Sequence, residues 1–137
     1  MKKKMILIIS ALFYICMFIL TIKAEDIHMS RLPKVTAQKL SYKYIEYIAI
    51  LEDGTPYPNT KKVLAIPKEI YESGQIFVII TGEERGLERS YAKKAEVKIG
   101  ISDEQYYEVI SGLNRSDYVI IEGYEELSDM QEVNVIE

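Results

Sequence analysis

Three lysines, Lys2, Lys3 and Lys4, precede an apolar run from Met5 to Ile22 that is broken by little more than Ser10. As an α-helix such a run rises about 27 Å, close to the hydrocarbon thickness of a bilayer. No other feature constrains the chain as strongly. The segment enters or crosses a membrane, and any folded domain is built from the roughly 110 residues that follow, enough for one core.

A cleaved signal peptide usually has an apolar stretch of about 7–15 residues and small residues before the cut. Here Ile22-Lys23-Ala24 offers Ala next to the bond, but with a lysine and a large residue before it. Run length and the poor site favour an uncleaved anchor over residues 1–24; a cleaved signal is the alternative. Either way the lysines stay in the cytoplasm and everything beyond Ile22 is exported. Cys16 lies deep in the run behind Tyr14-Ile15, which is not the small-residue context of a lipoprotein signal. The expected location is the cytoplasmic membrane, N-terminus inside and domain extracytoplasmic, or a secreted form after cleavage.

All 21 acidic residues but only 13 of the 17 basic ones follow Ala24, so the exported part carries about −8. That balance leaves no electrostatic footprint for nucleic acid or anionic lipid. The one cysteine is in the apolar run, so no intrachain disulfide is expected. His28, the only histidine, sits in the segment 25–32 read as a stalk, and no metal site or other cofactor is expected. Glu83-Glu84, Glu122, Glu125-Glu126 and Asp129 read as solvated turn residues rather than a catalytic pair. No G-x-S-x-G elbow occurs, and Thr81-Gly82-Glu83-Glu84-Arg85-Gly86 lacks the lysine of a phosphate loop. The tyrosines, eleven in all, lie mostly in strand-like runs and read as core-edge residues.

The exported part, residues 33–137, is dominated by period-2 patterning. In 95–101, Ala95, Val97, Ile99 and Ile101 alternate with Glu96, Lys98 and Gly100, which predicts one half-buried strand. Gln75 to Ile80 predicts a more buried strand, bounded by Ser73-Gly74 and Gly82. Gln105 to Ile110, Asp117 to Gly123 and Glu132 to Glu137 predict three more, with turns at Gly112–Asp117 and Ser128-Asp129 and a helical turn at Glu125–Leu127. Lys39 to Leu51 fits a helical face, but its aromatic and β-branched content favours a strand. Glu52 to Lys62, with two prolines, reads as a loop, and Ile66 to Gly74 as a short element and a turn. The fold class expected is mainly β: a small antiparallel barrel or roll of about six or seven strands after one N-terminal helix.

The order of short pieces in the second half resembles the membrane-proximal domain of periplasmic adaptor, or membrane fusion, proteins of the HlyD-like type, which serve RND and ABC efflux pumps. The matching pieces are Val63-Leu64-Ala65-Ile66-Pro67-Lys68, Val97-Lys98-Ile99-Gly100, and Tyr107 to Leu113 with Gly112. Asp117, Val119-Ile120, Gly123, Leu127-Ser128-Asp129 and Val133 follow, and Leu32 to Leu40 resembles the segment after the anchor in such proteins. The resemblance covers 63–137 and implies structural roles for Ile66, Pro67, Gly100, Gly112, Leu113, Asp117, Gly123 and Leu127, with no catalytic residue. It implies a non-enzymatic adaptor-like subunit, held in the membrane by its N-terminal helix and docked on a transporter membrane subunit, an ABC permease or RND pump. A stand-alone exported β binding domain and a degenerate remnant of an adaptor are the alternatives. Adaptors carry lipoyl, helical-hairpin and barrel domains where this chain has about 25 residues between Leu40 and Ile66. Two turn glycines of the pattern are also replaced, by Ser116 and Met130, so these turns are expected to differ or to carry strain.

Overall fold

The computed structural model describes residues 2–71 and 74–136, so the expected boundary at Ser73 lies outside the described residues. It divides into two compact units, Met1–Leu32 and Pro33–Glu137. The first is one helix, α1 (Lys2–Arg31), which continues through the segment read as a stalk. Within it Lys4–Arg31 contains an 18-residue window of mean hydropathy 2.7, long and apolar enough to cross a membrane.

The second unit is mainly β, with nine strands among the described residues. They are β1 (Lys34–Lys39), β2 (Ser41–Ile50), β3 (Pro56–Pro67), β4 (Gln75–Glu84), β5 (Leu87–Glu96), β6 (Lys98–Ser102), β7 (Tyr106–Ser111), β8 (Tyr118–Glu122) and β9 (Gln131–Ile136); one 3-10 turn, Lys68–Ile70, follows β3. Five of them close a barrel in the order β1-β8-β4-β5-β9, sealed by a parallel β1–β9 pair, while β2-β3-β7-β6 form a second sheet. The chain therefore alternates between the two layers, crossing at Leu40, between β3 and β4, at Val97 and at Gly112–Asp117.

Each crossing places an apolar side chain in one shared core. Leu40, Ile70, Val97 and Leu113 are all buried there, with Ile66, Ile76, Val78, Val109 and Val119. A second cluster, Val35, Ala92, Ile120 and Val133, packs with Phe77 and Ile79 on the other face of the β4–β8 wall. These two strands are covered on both faces, which is why Gln75–Ile80 and Tyr118–Ile121 read as nearly continuous apolar runs.

Nine strands stand where six or seven were expected, for local reasons. The alternation over 95–101 holds side chain by side chain, but the backbone breaks at Val97, where the chain leaves the barrel for the second sheet. The expected loop Glu52–Lys62 is mostly strand: the turn is confined to Glu52–Gly54, where Leu51 N donates to Thr55 O at 3.0 Å. Pro56 and Pro58 are tolerated because they pair with Ile50 and Ile48 at positions that make no ladder hydrogen bond, their nitrogens turned away from β2. Beyond β2 that stretch of β3 has no partner, since β7 pairs only with Ala65–Pro67. Thr81–Glu84 extends β4 instead of forming a loop; the hairpin turn is Arg85-Gly86, both with φ > 0, which matches the twist of the flanking strands. Residues 125–127 form a β-turn closed by Leu127 N donating to Tyr124 O at 3.2 Å, not a helical turn.

The replaced glycines resolve in opposite ways. Ser116 avoids the left-handed region altogether: its turn is closed by Asp117 N on Asn114 O and by Asn114 N on the Asp117 carboxylate. Met130 does adopt φ 59, so a side chain sits where glycine is favoured. Met130→Gly is expected to raise stability by about 0.5–1 kcal/mol, the relief of strain outweighing the added unfolded-chain entropy. Gly112 is the opposite case, at φ 101 with a Cβ that would overlap the Glu96 carbonyl. Gly112→Ala is expected to cost at least about 2 kcal/mol. Urea unfolding of both variants checks the pair; equal and small effects would contradict the assignment.

Candidate functional site

The eight residues singled out by resemblance do not converge on one pocket. Ile66 and Leu113 meet in the shared core, and Pro67 ends β3 opposite Tyr106. Gly112 lets the β7–β8 crossing lie against Glu96–Val97, and Gly123 lets the β8–β9 turn lie against the Lys34 carbonyl. Asp117 accepts from Leu40 N through its own carbonyl at 3.1 Å, tying two crossings together. Leu127 packs on the second cluster. They are joints of the fold.

Gly100 serves a neighbour. Its missing side chain leaves room for the Glu108 carboxylate, which a Cβ would overlap. Glu108 Oε1 accepts from Lys61 Nζ at 2.7 Å, and Oε2 accepts from the Ile101 backbone N–H at 3.1 Å. The β6–β7 register is irregular between Ile99 and Ser102, so this carboxylate takes an N–H that the ladder leaves free. One side chain thereby links β3, β6 and β7. The hydrogen bond from Lys61, reinforced by that from Ile101, holds the Glu108 carboxyl below its ordinary range, and the same bond raises Lys61.

The longest hairpin, β2–β3, has two unlike faces. Its inner face carries Ile45, Val63 and Ala65, buried against Ile101 and Tyr106. The outer face carries Tyr42, Tyr44, Glu46, Ile48 and Ile50, all exposed, opposite Leu64, Lys62, Thr60, Pro58 and Pro56. Tyr44, Ile48 and Ile50 are 69%, 65% and 73% exposed. Near the base of the hairpin, Lys62 Nζ lies 5.8 Å from the ring centroids of both Tyr42 and Tyr44, and the Arg115 guanidinium 5.7 Å from Tyr42. The result is a ladder of two tyrosines and two cations leading to an aliphatic end. Sequence reading missed this face because it treated Glu52–Lys62 as a loop. The signal was present: β2 is apolar at odd and even positions alike.

A hollow beside this face is lined by Tyr44, Glu46, Lys68, Asp103, Glu104 and Gln105. The Asp103 carboxylate is already engaged, accepting from the backbone N–H groups of Gln105 and Tyr106 at 2.8 Å each. No group of three or more metal-ligating side chains occurs among the described residues. No known protein family, curated protein or solved structure matches this chain.

The Glu108 arrangement gives a pH signature. A carboxyl with a depressed folded-state pKa adds stability above its unfolded value, near 4.3, and loses it as pH falls through the folded value. Glu108→Gln is therefore expected to be less stable than the parent at neutral pH, with the gap closing below about pH 4. Raised Lys61 acts at the other end, its contribution lost only as pH climbs past the ordinary lysine value near 10.4. Thermal melts across pH check this; a gap of constant size would contradict it.

Proposed function

We propose that the chain is a non-enzymatic, adaptor-like subunit that works at the extracytoplasmic face of the cytoplasmic membrane, docked on a transporter's membrane subunit of the ABC permease or RND pump class. The observation that carries it is α1. Its apolar side chains are exposed, Leu7 at 70% and Phe18 at 68%, and only lipid or another membrane protein can satisfy such a surface. Three N-terminal lysines set its direction, leaving the β unit outside.

Anchoring by α1 ties the β unit to the membrane and raises its effective concentration beside any membrane partner. The resemblance of residues 63–137 to the membrane-proximal adaptor domain names the class of partner. The placement of Ile66, Gly112, Leu113, Asp117 and Gly123 at strand joints is consistent with their being a structural pattern rather than a binding one. Lacking the long helical hairpin of adaptors, the chain would act through the membrane side of a pump and not through an outer channel.

Chemical cross-linking in native membranes, followed by mild solubilisation and mass spectrometry, tests this on the full chain. The expected result is a conjugate with an integral membrane transporter subunit. Recovery of the mature chain only from the culture supernatant, beginning near Glu25, would overturn it, as would membranes yielding no transporter conjugate.

A further inference from the structure

A strand that is apolar on both faces belongs between two layers, as β4 and β8 show here. β2 also carries apolar and aromatic side chains on both faces, beside Lys43 and Glu46, but within the β unit only its inner face is covered. The outer face leaves Ile48 and Ile50 among the most exposed apolar residues of the β unit. Contiguous apolar surface of this kind marks a contact with something outside the chain.

The chemistry of the face identifies the contact. Aliphatic side chains sit beside tyrosines whose rings are flanked by Lys62 and Arg115, and aromatic–cation belts of this sort suit the headgroup region of a bilayer. The exported part is acidic overall, so any complement to lipid phosphates is local to Lys62 and Arg115. Lysines also lie over rings elsewhere, Lys39 over Tyr118, Lys43 over Tyr106 and Lys68 over Tyr107; what sets this face apart is the aliphatic end beside its tyrosines. Glu46 is the one carboxylate that the hairpin itself places on the face, and Asp103 and Glu104, with Lys68, line the hollow beside it. Glu52 and Asp53 occupy the turn beyond it, and the Asp53 carboxylate folds back to accept from Thr55 N at 2.9 Å. Two acidic residues at the tip oppose end-on insertion, so the hairpin lies along the surface. Edge-to-edge pairing is blocked on the β3 side, where Pro56 and Pro58 present no N–H.

We infer that the outer face of the β2–β3 hairpin rests on the bilayer interface as a second membrane contact, its aliphatic end at the acyl boundary and Lys62 and Arg115 on acidic headgroups. This rests on the anchored reading of α1 and adds to it a second contact, made by the β unit itself.

The test uses the full chain in nanodiscs of phosphatidylcholine, with and without phosphatidylglycerol. An environment-sensitive fluorophore is placed at Ile50→Cys in a Cys16→Ser background, at Glu88→Cys as a solvent control, and at native Cys16. The expected result is a blue shift and strong quenching by a bilayer-located nitroxide at positions 50 and 16 but not 88. The position-50 signal should be larger with phosphatidylglycerol and largely lost in the Lys62→Glu, Arg115→Glu double variant, whose fold is verified by circular dichroism. Quenching at Cys16 but not at position 50 would overturn the inference and leave the anchor standing. Quenching at neither would overturn both. A shift at position 50 without nitroxide quenching, or one that appears only with two chains per disc or only with a co-purifying protein, would assign the face to a protein partner and overturn the lipid contact.

Discussion

Everything in the β unit depends on the seam where the chain passes between its two layers. A barrel of five strands and a sheet of four would be separate small cores if each were made of consecutive strands. Here every second connection changes layer, and Leu40, Ile70, Val97 and Leu113 bury at the changes. A crossing strand cannot leave one layer without withdrawing a side chain from the other. Gly112 shows how tight the seam is, since its backbone lies where only a hydrogen fits beside the Glu96 carbonyl. With Asp117 holding Leu40 by a backbone hydrogen bond, two crossings are fixed to each other.

Polar groups at the seam and beside it are placed to keep the layers in register. Glu108 accepts hydrogen bonds from β3 and β6 together, and it can do so because residue 100 has no side chain. Asp129 accepts from Lys94 N at 2.8 Å, past the last β5–β9 pair. From sequence, Asp129 reads as a solvated turn residue and Glu108 is assigned no role of its own. Their sequence neighbourhoods are ordinary, and the N–H groups that they satisfy become visible only when strand register is known.

Much of the architecture was legible because period-2 patterning follows burial directly. Ala95, Val97, Ile99 and Ile101 alternate inward as their spacing requires, and Tyr118–Glu122 sits where its apolar run places it. Patterning cannot register a change of layer, because a strand that crosses a seam keeps its alternation while changing partners; hence 95–101 read as one strand. Composition misled at Pro56 and Pro58, where proline is compatible with a strand whose outer edge has no partner. Among the motif residues, Gly112 and Gly123 were singled out by the resemblance, and both lie at close backbone approaches. The outer hairpin face escaped because exposed Ile48 and Ile50 look, one at a time, like core residues.

That face is the central claim: β2 carries apolar and aromatic side chains on both faces, and the β unit covers only one of them. Hydrogen–deuterium exchange of the full chain, in lipid nanodiscs against detergent micelles, measures the missing covering without presuming how it is made. The account predicts slower exchange in nanodiscs over residues 44–58, with the β4–β5 hairpin, its end exposed at Gly86, unchanged. Equal exchange of the two hairpins in both environments, or slowing confined to β4–β5, would contradict it.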